Sequence, residues 1–178
     1  ISKIGYTHDN NLTISGGGEK VSYRVSVAYY NQTGTIIGQL LNRLSMRSNI
    51  TYNVSDRITF TSDFSYSYSD NDKNYENLLD VAYKKMPNLS IYAQDSEGND
   101  TDRYYHILSS STLNDEQKKL SNPVAVANLA MNNTKNYRTS PVFSLSHEFF
   151  DRTQTDASLR MNATVSFDIN ANQRTGFF

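Results

Sequence analysis

The chain has no cysteine, no tryptophan and three prolines in 178 residues, and its net charge is −1. Without cysteine there is neither a disulfide framework nor a thiolate metal site, which is compatible with a cell-envelope protein. The near-zero charge leaves no basic footprint for nucleic acid. Long hydrophobic runs are missing too. Mean hydropathy is −0.62, and no window resembles a transmembrane helix. That says nothing against a membrane β-barrel, whose strands give a weak hydropathy signal. Hydrophobic residues make up 37%, below the ~45–50% usual for globular domains, so a dry core is hard to build. The chain starts at Ile1 rather than at Met and reads as a mature product or an excised piece.

What is abundant is tyrosine (13) and phenylalanine (8), set among serine, threonine and asparagine. Their arrangement is clearest from Arg43 to Asp70. Leu44, Met46, Ile50, Tyr52 and Val54 share one parity, opposite Arg43, Ser45, Arg47, Asn49, Thr51 and Asn53. After a break at Ser55-Asp56-Arg57, Ile58, Phe60, Phe64, Tyr66 and Tyr68 alternate with Thr59, Thr61, Asp63, Ser65 and Ser67. A period of two puts successive side chains on opposite faces of a strand. The stretch predicts a hairpin with one apolar and one polar face. Each arm is about twice the usual ~5–6 residues and matches the ~9–11 that a tilted strand needs to cross a bilayer.

The same pattern recurs along the chain. Asn10–Ser15 and Val21–Tyr30 flank a Gly16–Lys20 turn, and Asn31–Asn42 is a longer connection that can extend the hairpin. Alternation returns at Tyr137, with Phe143, Leu145, His147 and Phe149 on one parity. Asp151–Ser158 reads as a turn. Leu159 to Asn170 then alternates again, and the residues to Phe178 open another loop. Between Asn71 and Lys135 the pattern breaks. Such a length implies small elements of its own: a helix over Tyr75–Met86 stopped by Pro87, a hairpin over Ile91–Arg103 with its tip at Glu97-Gly98-Asn99, a capped helix over Thr112–Leu120, and an apolar helix over Val124–Met131. Short and long connections alternate, as in transmembrane barrels with short turns on one side and long loops on the other. The fold class is therefore all-β: an antiparallel transmembrane β-barrel segment of about six strands, with residues 71–135 a large extracellular loop containing short helices.

Several stretches resemble SusC/RagA-like TonB-dependent transporters. They are Asn10 to Gly17 with Glu19-Lys20 and Val27 to Tyr30, Thr33 to Gly38, Arg43 to Arg47, Asn122 to Ala125, and Asn132 to Arg138. Together they span nearly the whole chain, and their order is more specific than any one of them. The resemblance implies a barrel of about 22 strands around a plug. Residues 1–178 would be part of one such barrel, with the plug domain absent from this chain. It implies TonB-driven import of an oligosaccharide or peptide across the outer membrane of a Gram-negative bacterium. The implied partners are a SusD-like surface lipoprotein, TonB acting through the missing N-terminal part, and outer-membrane lipid.

Candidate contacts follow from chemistry. Rings stack on sugars and guanidinium groups hydrogen-bond hydroxyls or peptides, so Arg103, Tyr104 and Tyr105 are the cargo candidates. Arg24, Arg43, Arg47 and Arg160 fall on polar parities and are expected to face the lumen or the plug. Asp95, Glu97, Asn99, Asp100 and Asp102 surround a glycine without the spacing of an EF-hand. They read as a solvated turn, not a metal site. His8, His106 and His147 are far apart, and no nucleophile or paired-carboxylate motif accompanies them. Neither a cofactor nor catalysis is expected. The alternatives are a passive porin and a soluble or adhesin-like β-sandwich binding protein.

Overall fold

The computed structural model describes residues 1–74, 78–108, 111–112, 114–150 and 158–177. Tyr75, Leu113 and the 151–157 part of the expected turn lie outside them. Seven strands form one antiparallel sheet: β1 (Tyr6–Gly17), β2 (Val21–Thr33), β3 (Leu40–Ser55), β4 (Ile58–Asp72), β7 (Met131–Phe150), β8 (Leu159–Ser166) and β9 (Ile169–Phe177). A two-stranded hairpin, β5 (Tyr92–Gln94) with β6 (Asp100–Tyr104), stands apart. Three short helices, α1 (Leu78–Lys84), α2 (Asp115–Lys119) and α3 (Pro123–Leu129), complete the connection between β4 and β7.

The order in the sheet is β1-β2-β3-β4-β7-β8, with β9 also on β7. β8 and β9 are one strand path. Val142 faces Ser166 and Thr139 faces Ile169, so the register does not slip between them. Pro141 explains the interruption. The Phe167 amide donates to the Pro141 carbonyl at 3.0 Å, but proline has no N–H to return the second bond of that pair. The sheet thus has six strand paths, as the alternation predicts.

The strands run further than the alternation showed. β2 continues to Thr33 and β3 starts at Leu40, so the expected long connection over Asn31–Asn42 shrinks to six residues, 34–39. β7 begins at Met131, before Tyr137. The loop expected after Asn170 is instead β9. The reason is common to all three. Beyond Tyr29, Tyr68 and Tyr137 both faces turn largely polar, and at Leu40-Leu41 on β3 both are apolar, so parity no longer marks a strand, while backbone pairing continues. Gly38 closes the 34–39 turn at φ +83°, with the Ala127 carbonyl 3.1 Å from where a Cβ would lie.

The β4–β7 connection folds into a cap with the small elements expected there. Asn122 clamps it. Its side-chain oxygen accepts from the Val124 and Ala125 amides at 3.1 and 3.3 Å, capping α3 with Pro123 in the first turn. Its Nδ2 donates to the carbonyls of Ile91 (2.8 Å) and Tyr105 (3.2 Å), tying the helix to the hairpin. Lys85 Nζ reaches the Leu120 carbonyl at 2.6 Å, at the end of α2.

Burial separates the two parts. Among the described residues the buried hydrophobics are Leu78, Ile107 and Val126, all in the cap. On the sheet, Leu12, Ile14, Met161, Val165 and Ile169 are more than half exposed. The dry core sits in the cap, not on the sheet. Leu78→Ala should therefore cost about 2–5 kcal/mol of cap stability. Hydrogen exchange of the full-length polypeptide would show faster exchange across α1 and α3 with the sheet amides unchanged. Unchanged cap amides would contradict this packing.

Candidate functional site

The register carries one polar face across the sheet. Arg24 lies opposite Asn49, Arg47 opposite both Ser26 and Ser65, Asn49 opposite Asp63, and Arg160 opposite Glu148. Several open depressions lie on this face, two of them lined by more than one arginine. One, of about 730 Å³, is lined by Arg24, Arg47, Asn49 and Asp63 with hydroxyl neighbours. The other, of about 640 Å³, is lined by Arg43, Arg47, Arg138 and Ser140 among others. A cleft lined by guanidinium, amide and hydroxyl groups suits a polar or anionic ligand surface.

The four arginines expected on this face are all there, but their surroundings differ. Arg160 Nη2 pairs with Glu148 at 3.3 Å. Arg43 stacks over the Tyr30 ring, 5.1 Å from its centroid. Arg24 and Arg47 make no ion pair among the described residues. A fifth arginine, Arg138, escaped sequence reasoning. Its Nε and Nη2 grip Asp168 at 3.1 and 2.9 Å, and Ser140 Oγ donates to the same carboxylate at 2.9 Å. This cluster lies beside the ladder gap at Pro141. Carrying the parity of Ser144 back through Ser140 would have found it.

The cargo candidates sit in the cap, away from these depressions. Tyr104 is half-buried, stacked on Tyr92 with centroids 5.4 Å apart. Its hydroxyl accepts from Asn128 Nδ2 at 3.1 Å. Tyr105 is half-buried and its amide donates to the Ile91 carbonyl at 2.9 Å. Arg103 is exposed. The hairpin tip uses Asp95 internally. Its Oδ1 accepts from the Glu97 and Asn99 amides, both at 2.9 Å, around Gly98 at φ +87°. These amides, that of Asn99 foremost, hold the carboxyl below its ordinary value. His147 lies on the apolar parity against the Phe149 ring at 4.2 Å.

No family model matches the chain. Over 136 residues it is 28% identical to TonB-dependent receptor P26 of Formosa agariphila, covering 75% of this chain and 12% of that receptor. Among solved structures, the RagAB peptide importer in its closed-closed state contains a similar chain. The match covers 96% of this chain and 18% of that one, with a TM-score of 0.65 and 16% identity. The chain thus spans a small part of the length of either. The first likeness relates it in sequence to a TonB-dependent receptor, and the second shows the fold. Both relatives are named for reception or import.

The Asp95 geometry fixes a pH dependence. A carboxyl held low stabilises the tip above the ordinary aspartate value of 3.8, and that contribution is lost as pH falls through the depressed value. Asp95→Ala should speed amide exchange at Glu97 and Asn99 at neutral pH, by mass spectrometry of the full-length polypeptide. Equal exchange in variant and wild type would contradict the turn.

Proposed function

We propose that this chain is a wall segment of the barrel of an outer-membrane TonB-dependent transporter of the SusC/RagA type. The observation that carries the reading is the uncovered apolar face. Leu12 and Ile14 on β1, Val25 and Val27 on β2, Met46 and Ile50 on β3, Phe60 and Phe64 on β4, Phe143 and Leu145 on β7, and Met161 and Val165 on β8 share it through the register. No second sheet faces them among the described residues, since the only other sheet is the cap hairpin. In water each such side chain forgoes part of the about 1.5–3 kcal/mol that full burial contributes. In lipid that loss vanishes.

The dimensions agree. On β3 the apolar parity runs from Leu44 to Val54, about 33 Å at ~3.3 Å per residue. At a tilt of ~45° this spans ~23 Å, close to the ~25 Å apolar band of such barrels. Tyr23 and Tyr52 stand toward one margin, Tyr29, Tyr68 and Tyr137 toward the other, like aromatic girdles. Above the second margin Asn31, Asn42, Asp70 and Lys135 take over the same parity.

On this reading residues 71–135 form the extracellular cap, and the polar face with Arg24, Arg43, Arg47 and Arg160 looks into the lumen toward the plug. The importer's peptide cargo and the receptor's TonB dependence support energised uptake of peptides or oligosaccharides. A SusD-like lipoprotein would seat on the cap, where Arg103 is the most accessible of the cargo candidates beside Tyr104 and Tyr105. The soluble sandwich loses ground, because no second sheet among the described residues covers the apolar face.

Charge placement tests the assignment of faces. Val165→Arg should destabilise the full-length polypeptide by about 2–4 kcal/mol in lipid bilayers, whereas the neighbouring Thr164→Arg should change little. Denaturant unfolding from vesicles measures both. Equal costs at the two positions would sink the lipid-facing assignment.

A further inference from the structure

We infer that Arg24 and Arg47 form a two-pronged carboxylate-binding site on the polar face. The inference rests on that face being the lumen of a wall segment, and it goes further by separating the arginines from one another. Arg138 and Arg160 are neutralised within the sheet by Asp168 and Glu148. Arg43 is held over Tyr30. Arg24 and Arg47 are left without an ion pair among the described residues, and both line the same depression of about 730 Å³.

The register sets their spacing. Arg24 faces Asn49 and Arg47 faces Ser26, so the two are diagonal neighbours on β2 and β3, roughly 7–8 Å apart. Long side chains at that separation converge on one group. Asp63 lines the same depression, but it accepts from Asn49 and stands within ion-pair distance of neither arginine. Two like charges on adjacent strands repel, more strongly once an enclosed lumen lowers the local dielectric. An oxyanion between them removes the repulsion and matches the guanidinium fork. The surrounding side chains, Asn11, Thr13, Ser26 and Ser65, add neutral donors that suit carboxylate oxygens.

The carboxylate has two possible sources: an acidic side chain elsewhere in the same polypeptide, or an acidic ligand from outside. The full-length polypeptide in detergent distinguishes them, comparing wild type with Arg24→Gln/Arg47→Gln. Two readouts are used: thermal melting at pH 7 and pH 3, and calorimetric titration with triglutamate against a triglutamine control. An internal source predicts that the variant melts several degrees lower at pH 7, with the gap closing at pH 3, where carboxylates are protonated. An external source predicts equal melting and at least a tenfold loss of triglutamate affinity, with triglutamine unaffected. Identical melting at both pH values together with unchanged triglutamate binding overturns the proposal. Should the glutamine variant not fold, Arg24→Lys/Arg47→Lys gives the same comparison with the charge kept and the fork removed. A polypeptide that stays dispersed without detergent would instead refute the wall reading itself, which this comparison does not touch.

Discussion

Everything in this chain depends on one constraint: a backbone ladder in nearly unbroken register across six strand paths. The ladder fixes which side chains share a face. Pairings from β1 to β9 carry the same parity across the sheet, so a polar face and an apolar face emerge from alternation alone. In lipid the ladder has a second duty, since no water is there to satisfy a free N–H or C=O. Besides the bulges at Asn53/Ser55 and Glu148/Phe150, one interruption is instructive. At Pro141 one bond is missing, and the polar side chains of Ser140, Arg138 and Asp168 crowd that point.

The sheet and the cap obey different physics. The cap is a small water-type fold, with Leu78, Ile107 and Val126 in its interior and side chain–backbone bonds from Asn122, Lys85 and Gln117 lacing its pieces together. The sheet has no such interior. Its stability comes from the ladder and from whatever solvent meets its apolar face. Among the described residues it ends in two edge strands, β1 and the β8/β9 path, whose free N–H and C=O groups are open to pairing. The cap is joined to the rim rather than to the sheet's face, through Asn74 to the Ile37 carbonyl at 2.7 Å and Asn132 to the Asn74 carbonyl at 3.1 Å.

Where the apolar parity is strong, sequence is enough. The Arg43–Asp70 hairpin, its break at 55–57 and the Gly16–Lys20 turn were all legible, because burying one face forces the period. Strand ends were not. Asn31 to Thr33, Asn132 to Asn136 and Asn172 to Gly176 are strand, yet have no apolar parity, and only their neighbours in the sheet hold them there. The helices around Leu78 and Val126 were legible from spacing and from Pro87 and Pro123. The role of Tyr104 was not, because its partners Tyr92 and Asn128 meet it only in three dimensions. The same holds for the arginines. Parity placed Arg24, Arg43, Arg47 and Arg160 on one face, but which of them found a counter-charge depended on cross-strand neighbours.

The most direct test of the account uses the absence of cysteine from this chain. Single cysteines placed in turn along 159–166, in a full-length polypeptide free of other cysteines, would be labelled with a fluorophore and reconstituted in vesicles containing brominated lipid. The account predicts quenching by lipid at 161, 163 and 165 and quenching by a water-soluble quencher at 160, 162 and 164, a strict period of two. Equal access of the aqueous quencher to both sets would contradict it, and the apolar face would then meet water, not lipid.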